Sequence, residues 1–206
     1  MHVFVDCDGV LAAFAEHVFQ LFGKYPRELP DDAMWDQIIA TPEFWSTMPV
    51  KYGAHALWRA THAFHPTVLT GCPKRDFEHA ATQKVIWLKR HFGDTVKVIT
   101  CHGRNKPFYM TGPGDILVDD FPSHVRRWTK AGGRAIHYRT AEQARREFNL
   151  AVIDIGDMVQ VSVADAYVLP EPSKIVDIKE YDGDHWVFIA DSSSAVRIQN
   201  VELVAK

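Results

Sequence analysis

The chain has 206 residues, of which 47% are hydrophobic and 24% charged, as expected of a folded protein with a sizeable core. Its 23 Lys and Arg residues against 26 Asp and Glu residues give a net charge of −3, so charge alone gives no reason to expect nucleic acid or an anionic membrane as a partner. No apolar stretch approaches the ~18 residues of a membrane span, and Met1 runs directly into the first predicted strand, so a cytoplasmic location is expected.

In chain order, the sequence up to residue 151 alternates between short apolar runs and segments with apolar residues at helical spacing. The predicted strands are residues 2–5, 67–69, 96–100, 116–118 and 134–137. The predicted helices are residues 11–22, 54–64, 76–92, 123–130 and 141–148. This alternation indicates βαβ units and a parallel sheet, and such sheets bind ligands at the carboxyl ends of their strands.

Residues 152–206 follow a different pattern, with apolar and polar residues alternating along four short segments. Turn signals separate the segments at Pro170-Glu171-Pro172, Asp182-Gly183-Asp184 and Ser192-Ser193-Ser194. We therefore expect two domains, an α/β domain over residues 1–151 and a small all-β barrel of the SH3-like kind over residues 152–206. Acidic residues outnumber basic ones in the predicted barrel.

Reactive side chains follow four of the predicted strands. They are Asp6 and Asp8, then Thr70 and Lys74, then Arg104 and Lys106, and finally Asp119 and Asp120. Carboxylates collected at one sheet edge repel each other unless a cation lies among them, and ligation by oxygen alone favours Mg²⁺. Hydroxyl and cationic groups suit phosphate oxygens. The set predicts a phosphoryl-transfer site in which one carboxylate is a nucleophile and a second is a general acid–base.

These residues resemble the haloacid dehalogenase (HAD) superfamily of aspartate-nucleophile phosphatases, and within it the 5'(3')-deoxyribonucleotidases. The resemblance rests on FVDCDGV, LTG, Lys106 and ILVDD, and it spans Met1 to about Phe148. It implies an HAD-like parallel sheet, with a small helical cap formed by an insertion of about residues 15–65.

The resemblance also implies roles for individual residues. Asp6 would be the nucleophile and Asp8 the general acid–base. The Mg²⁺ ligands would be Asp6, Asp8, Asp120 and, directly or through water, Asp119. The phosphate-binding residues would be Thr70, Gly71, Lys74, Arg104 and Lys106. The aromatic residues expected to hold a nucleobase under the cap are Phe14, Phe44 and Trp45.

The activity implied is an Mg²⁺-dependent phosphomonoesterase that hydrolyses (deoxy)nucleoside 5'-monophosphates through an aspartyl-phosphate. Two alternatives stay open. The first keeps the chemistry but acts on a sugar phosphate or the phosphorylated end of a polynucleotide, and the second is a non-catalytic HAD-like scaffold. The expected partners are a small nucleotide and, through the barrel, a second copy or another protein. Nucleic acid in general and membranes are not expected.

Overall fold

The computed structural model describes residues 1–163, 166–190, 192 and 195–204. The chain divides into two compact units. The first comprises Met1–Tyr52 and Thr67–His137, and the second comprises Gly53–Pro66 and Tyr138–Lys206. Within the described ranges, each unit contains one β-sheet. Among the described residues, no helix combines the length and apolar character needed to cross a membrane.

The first unit contains a five-stranded parallel sheet, which confirms the α/β prediction. Its strands are β1 (Val3–Val5), β2 (Thr67–Gly71), β3 (Lys97–Cys101), β4 (Ile116–Asp119) and β5 (Arg134–His137). Their order is β3-β2-β1-β4-β5, so β1 is central and pairs with both β2 and β4. All residues of β1 and β4 are buried, which explains why both strands are apolar runs without alternation.

Six α-helices lie within the described residues. They are α1 (Phe14–Phe22), α2 (Asp31–Ile39), α3 (Ala54–Thr61), α4 (Phe77–Phe92), α5 (Pro122–Lys130) and α6 (Ala141–Val152). Helices α3 and α6 belong to the second unit and the other four to the first. Helix α1 begins three residues later than predicted, because the amides of Leu11 and Ala12 donate to the carbonyl of Cys7 in a turn.

A buried cluster holds helix α5 against the parallel sheet. Its members are Phe4, Leu69, Cys101, Leu117 and Trp128. The rings of Phe4 and Trp128 meet edge to face at 5.3 Å, and the Trp128 indole donates to the carbonyl of Asp115 at 3.1 Å. This packing fixes the central strands, and it therefore fixes the residues that follow them.

The second unit contains a five-stranded antiparallel sheet. Its strands are β6 (Met158–Val163), β7 (Ala166–Tyr181), β8 (Asp184–Ile189), β9 (Ala195–Arg197) and β10 (Val201–Leu203), in the order β10-β6-β7-β8-β9. Residues from α3 and α6 belong to the same unit: Arg59 bonds Glu202 at 3.3 Å, and the amide of Asn149 donates to the carbonyls of Ile198 and Val201. The antiparallel strands begin at Met158, and helices α3 and α6, one on each side of the β2 to β5 segment, belong to the same unit as these later strands.

The turn predicted at Pro170-Glu171-Pro172 is wrong, because β7 continues through it. Val159 of β6 pairs with Ser173, and Val161 pairs with Leu169, so residues 170–172 face the single residue 160 in a bulge. Prolines are tolerated there because a bulge interrupts the hydrogen-bond ladder. The turn predicted at Asp182-Gly183 is confirmed, with φ values of 52° and 81°. Part of the third predicted turn, 193–194, lies outside the described residues.

Candidate active site

Reactive side chains converge at the carboxyl edge of the parallel sheet. Asp6 follows the central strand β1, Thr70 lies near the end of β2, and Asp119 ends β4. Because β2 and β4 flank β1, these residues lie on either side of Asp6. Lys106 comes from the 3-10 helix Gly103–Tyr109, which follows β3.

Lys106 links the carboxylates of Asp6 and Asp119. Its ammonium group is 2.8 Å from Asp6 Oδ1 and 2.6 Å from Asp119 Oδ2, and all three side chains are buried. The backbone amide of Cys7 also donates to Asp6 Oδ1, at 2.8 Å. Two donors therefore fix one oxygen of Asp6, and Oδ2 lies outside both contacts.

Asp119 is held by further donors from the start of α5. Its Oδ1 accepts from the amide of Phe121 at 2.8 Å, and His124 Nδ1 lies 3.1 Å from its Oδ2. His124 is itself packed on Gly103, where an added Cβ would overlap the imidazole. Both oxygens of Asp119 thus contact protein donors.

Burial and neighbouring charges set the pKa values of this group in opposite directions. Burial alone would raise the pKa of Asp119, but Lys106 and His124 lower it. Burial would lower the pKa of Lys106, but Asp6 and Asp119 raise it. For Asp6, burial outweighs Lys106, and together with Asp119 and Asp8 it raises the pKa to about 6. Asp6 is therefore a carboxylate at neutral pH.

Lys84, on helix α4, is a site residue that the sequence analysis missed. Its side chain is fully buried, and its ammonium donates to Asp8 Oδ2, to the carbonyl of Gly71 at 2.6 Å and to Thr70 Oγ1 at 3.3 Å. It also lies 4.2 Å from the ring centroid of Trp45. Burial lowers its pKa, Asp8 is the largest influence that raises it, and the net shift is upward.

The spacing of apolar residues along α4 indicates that Lys84 is on the buried face of the helix. Ala80, Ala81 and Leu88 are buried on α4, and Lys84 lies three and four residues from them on the same face. A lysine on the buried face of a helix requires a partner, because an unpaired charge is costly to bury. Its position in the stripe therefore indicates a buried charge pair.

The turn after Asp6 explains why Gly9 follows two aspartates. Gly9 has φ +76°, a conformation that favours glycine, and its amide donates to the carbonyl of Ala12 at 2.9 Å. A Cβ at Gly9 would overlap the carboxylate of Asp120. The absent side chain leaves space in which Asp120 approaches the loop that carries Asp8.

The carboxylates of Asp6 and Asp120 fit a hard divalent cation, and the carboxylate of Asp8 lies close enough to influence the pKa values of both. Asp8 Oδ1 is buried and has no hydrogen-bond partner among the described residues. Burial and the charges of Asp6, Asp119 and Asp8 raise the pKa of Asp120 to about 8, which indicates negative charge that Lys106 does not balance. Oxygen ligands of this kind suit Mg²⁺. Asp120 suits it better than Asp119, whose oxygens are already engaged.

A second grouping contains Asp6, Asp119 and His124, whose ligand atoms lie within 4.8 Å of one another. The ammonium of Lys106 already joins its two carboxylates. The charge of these two carboxylates is therefore already offset by Lys106, and an imidazole is a poor ligand for Mg²⁺.

The predicted phosphate-binding residues fall into two groups. Thr70, Gly71 and Lys106 lie beside the carboxylates through the contacts described above. Lys74 and Arg104 are exposed and line an adjacent cavity of about 460 Å³. Of the three predicted cations, Lys106 therefore lies at the carboxylates, whereas Lys74 and Arg104 lie in the cavity.

The aromatic residues predicted to hold a nucleobase pack on each other. Phe44 and Trp45 are 0% and 1% exposed, with ring centroids 4.9 Å apart, and Phe14 lies 5.8 Å and 6.0 Å from them. Neither Phe44 nor Trp45 presents an accessible ring face. The base-pocket prediction therefore gains no support from this arrangement.

Three buried cysteines, Cys7, Cys72 and Cys101, lie near the strand ends without disulfides. Burial raises the pKa of Cys72 and of Cys101 to about 11, and it raises that of Cys7 as well. A protonated, buried thiol is a poor nucleophile. The carboxylates are accordingly the nucleophile candidates at this edge.

The described residues define an α/β unit with a lysine-bridged cluster of carboxylates at the carboxyl edge of its parallel sheet, and a separate antiparallel sheet. Comparison of the sequence with protein-family models gives no match. Comparison with curated proteins gives no significant match either.

Proposed function

We propose that this chain is an Mg²⁺-dependent phosphomonoesterase that forms an aspartyl-phosphate on Asp6. The observation that carries the proposal is the pairing of two carboxylates with different environments on one turn. Asp6 has one oxygen fixed by Lys106 and Cys7. Asp8 has one oxygen bound to Lys84, and its other oxygen is buried with no hydrogen-bond partner among the described residues. The first arrangement suits a nucleophile and the second a proton carrier.

In the first step, Asp6 Oδ2 attacks the phosphorus atom of the substrate. The bond from phosphorus to the leaving oxygen breaks, and that oxygen takes a proton from Asp8 Oδ1. Lys106, held between Asp6 and Asp119, offsets negative charge beside the attacking oxygen.

In the second step, a water molecule attacks the phosphorus of the aspartyl-phosphate. Asp8 accepts a proton from this water, and the bond between phosphorus and the Asp6 oxygen breaks. The products are inorganic phosphate and Asp6 in its original form, so the proton that Asp8 gave in the first step is regained.

Asp6, Asp120 and the backbone carbonyl of Asp8 would hold Mg²⁺. When bound, the ion supplies positive charge that neutralises the phosphoryl oxygens and aligns them for attack. Thr70 would contact the transferred phosphoryl group from the β2 side.

The proposal extends to the fold of the first unit, the class of substrate and the role of the second unit. The sequence resemblance supports an HAD-like fold for the first unit, with (deoxy)nucleoside 5'-monophosphates as substrates. Of the cap insertion of about residues 15–65, the part that stays with the parallel sheet ends at Tyr52. The antiparallel sheet would be an SH3-like barrel that binds a second copy or another protein.

The test is phosphate release with Mg²⁺ from nucleoside 5'- and 3'-monophosphates, sugar phosphates and a 5'-phosphorylated oligonucleotide. Asp6→Asn should release no phosphate, because an amide is a poor nucleophile. Asp94→Asn is the matched control, since Asp94 is exposed in the turn between α4 and β3. The proposal is supported if the unaltered chain and Asp94→Asn release phosphate from nucleotides and Asp6→Asn does not.

Equal release by Asp6→Asn and the unaltered chain would contradict Asp6 as nucleophile. Release from no phosphomonoester in the panel, by a chain with an intact circular dichroism spectrum, would overturn the enzymatic proposal and favour the scaffold alternative.

A further inference from the structure

The cavity of about 460 Å³ beside the carboxylates is more basic than the proposed reaction requires. Three segments contribute its cationic and imidazole side chains: Lys74 after β2, His102 and Arg104 after β3, and His124 and Arg127 from helix α5. None of the described residues that line it is acidic. The chain as a whole has more acidic than basic residues, so this distribution does not follow from composition.

The three long cations of the cavity have no carboxylate partner within the described part of the chain. Elsewhere in the same unit, Arg75 pairs with Asp36 at 2.7 Å and Lys51 pairs with Glu16 at 3.0 Å. Like charges gathered from separate segments repel one another, and an anion bound among them relieves the repulsion. The cavity therefore has the electrostatics of an anion site.

The residues that line this cavity do not include Asp6, Asp8 or Asp120, so an anion bound among its cations is not at the attacking carboxylate. Asp6 is linked to the cavity wall through Lys106, Asp119 and His124, by successive contacts of 2.8, 2.6 and 3.1 Å. The anion in the cavity is thus a group other than the one that Asp6 attacks.

The size and lining of the cavity indicate what carries this second anion. A volume of about 460 Å³ falls within the usual range for small-molecule sites and exceeds the need of a single phosphate. The side chain of Phe121, 55% exposed, lines it and offers a ring face on which a planar group can stack.

We propose that the cavity binds a second phosphate group of the substrate, so that the preferred substrate is a phosphomonoester with another phosphate on the same molecule. This inference rests on the proposed function, because it takes the bound molecule to be the substrate of that reaction. Binding of a phosphate group in the cavity does not itself require turnover. The second phosphate can belong to a nucleoside bisphosphate or to the next phosphodiester of a 5'-phosphorylated oligonucleotide, since Lys74, Arg104 and Arg127 recognise either.

The test is calorimetric binding to the full chain carrying Asp6→Asn, which prevents turnover, with the unaltered chain in EDTA as a second preparation. The probes are adenosine 5'-monophosphate, adenosine 3',5'-bisphosphate and the 5'-phosphorylated dinucleotide of deoxyadenosine. We expect the two probes with a second phosphate to bind at least about 10-fold more tightly than the monophosphate, as one added charged hydrogen bond provides. Tighter binding of the dinucleotide than of the bisphosphate identifies a polynucleotide end as the source, and the reverse identifies a small molecule.

Arg127→Gln tests the cavity directly, and Arg126→Gln is its matched control, because Arg126 is exposed on α5 but does not line the cavity. Arg127→Gln should reduce the preference to below about 3-fold, whereas Arg126→Gln should leave it unchanged. Equal binding of mono- and bisphosphate, or the same loss in both variants, would overturn the inference.

This design separates the two proposals. A preference for a second phosphate without phosphate release by the unaltered chain with Mg²⁺ contradicts the proposed function and supports the cavity. Phosphate release by the unaltered chain without a preference for a second phosphate supports the proposed function and contradicts the cavity as a second phosphate site.

Discussion

The ammonium group of Lys84 and the carboxylate of Asp8 form an ion pair between residues 76 positions apart, with Lys84 fully buried and the Asp8 side chain 25% exposed. The same ammonium donates to the Gly71 carbonyl. Helix α4 thereby fixes one oxygen of the proposed acid–base relative to the end of β2.

Replacing Lys84 by Met should lower kcat about 100-fold while KM changes less than about 3-fold, because Asp8 loses its orientation but the substrate contacts remain. The loss of kcat/KM, which reports the first step, should be larger for an alkyl phosphate than for p-nitrophenyl phosphate, whose leaving group needs no proton. Steady-state kinetics on both substrates provide the measurement. Lys89→Met, an exposed position on the same helix, is the control. An equal loss of kcat/KM on both substrates would show that Lys84 does not act through Asp8 in the first step.

Asp8→Asn should separate the two steps of the reaction. With p-nitrophenyl phosphate the first step proceeds without a proton from residue 8, but water is no longer activated, so the aspartyl-phosphate accumulates. A burst of about one p-nitrophenol per chain and labelled phosphate in acid-precipitated protein are expected. Asp6→Asn should show neither. A burst in the Asp6→Asn protein would place the covalent step on another residue.

Gly9→Ala should both destabilise the chain and weaken its use of Mg²⁺. The positive φ alone costs about 1–2 kcal/mol of unfolding free energy for a side chain, and the new methyl group also displaces the Asp120 carboxylate. We expect at least about a 10-fold rise in the Mg²⁺ concentration for half-maximal activity.

Gly23→Ala is the matched control for that substitution. Gly23 has φ +72° at the end of α1, and an added Cβ there meets no atom within 4 Å. It should carry the conformational cost alone, with the Mg²⁺ requirement unchanged. If both variants shift this requirement alike, the contact between Gly9 and Asp120 has no role in it.

The metal-free chain should lose stability as pH rises from about 4 to 8. Unfolded Asp120 releases its proton near its ordinary pKa of 3.8, whereas the folded chain retains the proton up to about pH 8. Unfolding therefore releases a proton between these values, and rising pH favours the unfolded state by up to about 1.4 kcal/mol per pH unit for one group. Asp6, whose pKa is about 6, adds to the loss below that pH.

Thermal unfolding in EDTA across this pH range checks the expectation, with Asp120→Asn as the comparison. The melting temperature of Asp120→Asn should fall less steeply with pH, and Mg²⁺ should stabilise the unaltered chain more at pH 8 than at pH 5.5. Identical pH slopes for the two proteins would mean that Asp120 does not retain its proton in the folded state.

The site is predictable from sequence to the extent that it depends on strand ends. Asp6, Thr70 and Asp119 follow or end adjacent apolar runs, and parallel strands bring their carboxyl ends to one edge whatever the loops do. The contact of Lys84 with Asp8 depends on how α4 packs against that edge, which local pattern does not encode. The burial of Phe44 and Trp45 was missed for a similar reason, since aromatic composition does not distinguish a ring that binds a ligand from one that fills a small core.

The second unit has a consequence for synthesis on the ribosome. Arg59 bonds Glu202 across 143 residues, so α3 emerges long before the strand that carries its partner. At ordinary elongation rates the delay is roughly 10–30 s, during which the helix exists without its final neighbours. A nascent chain stalled after β5 would hold every strand of the parallel sheet and every carboxylate of the proposed site. Its segment Gly53–Pro66, which contains α3, would still await the rest of the unit in which it folds.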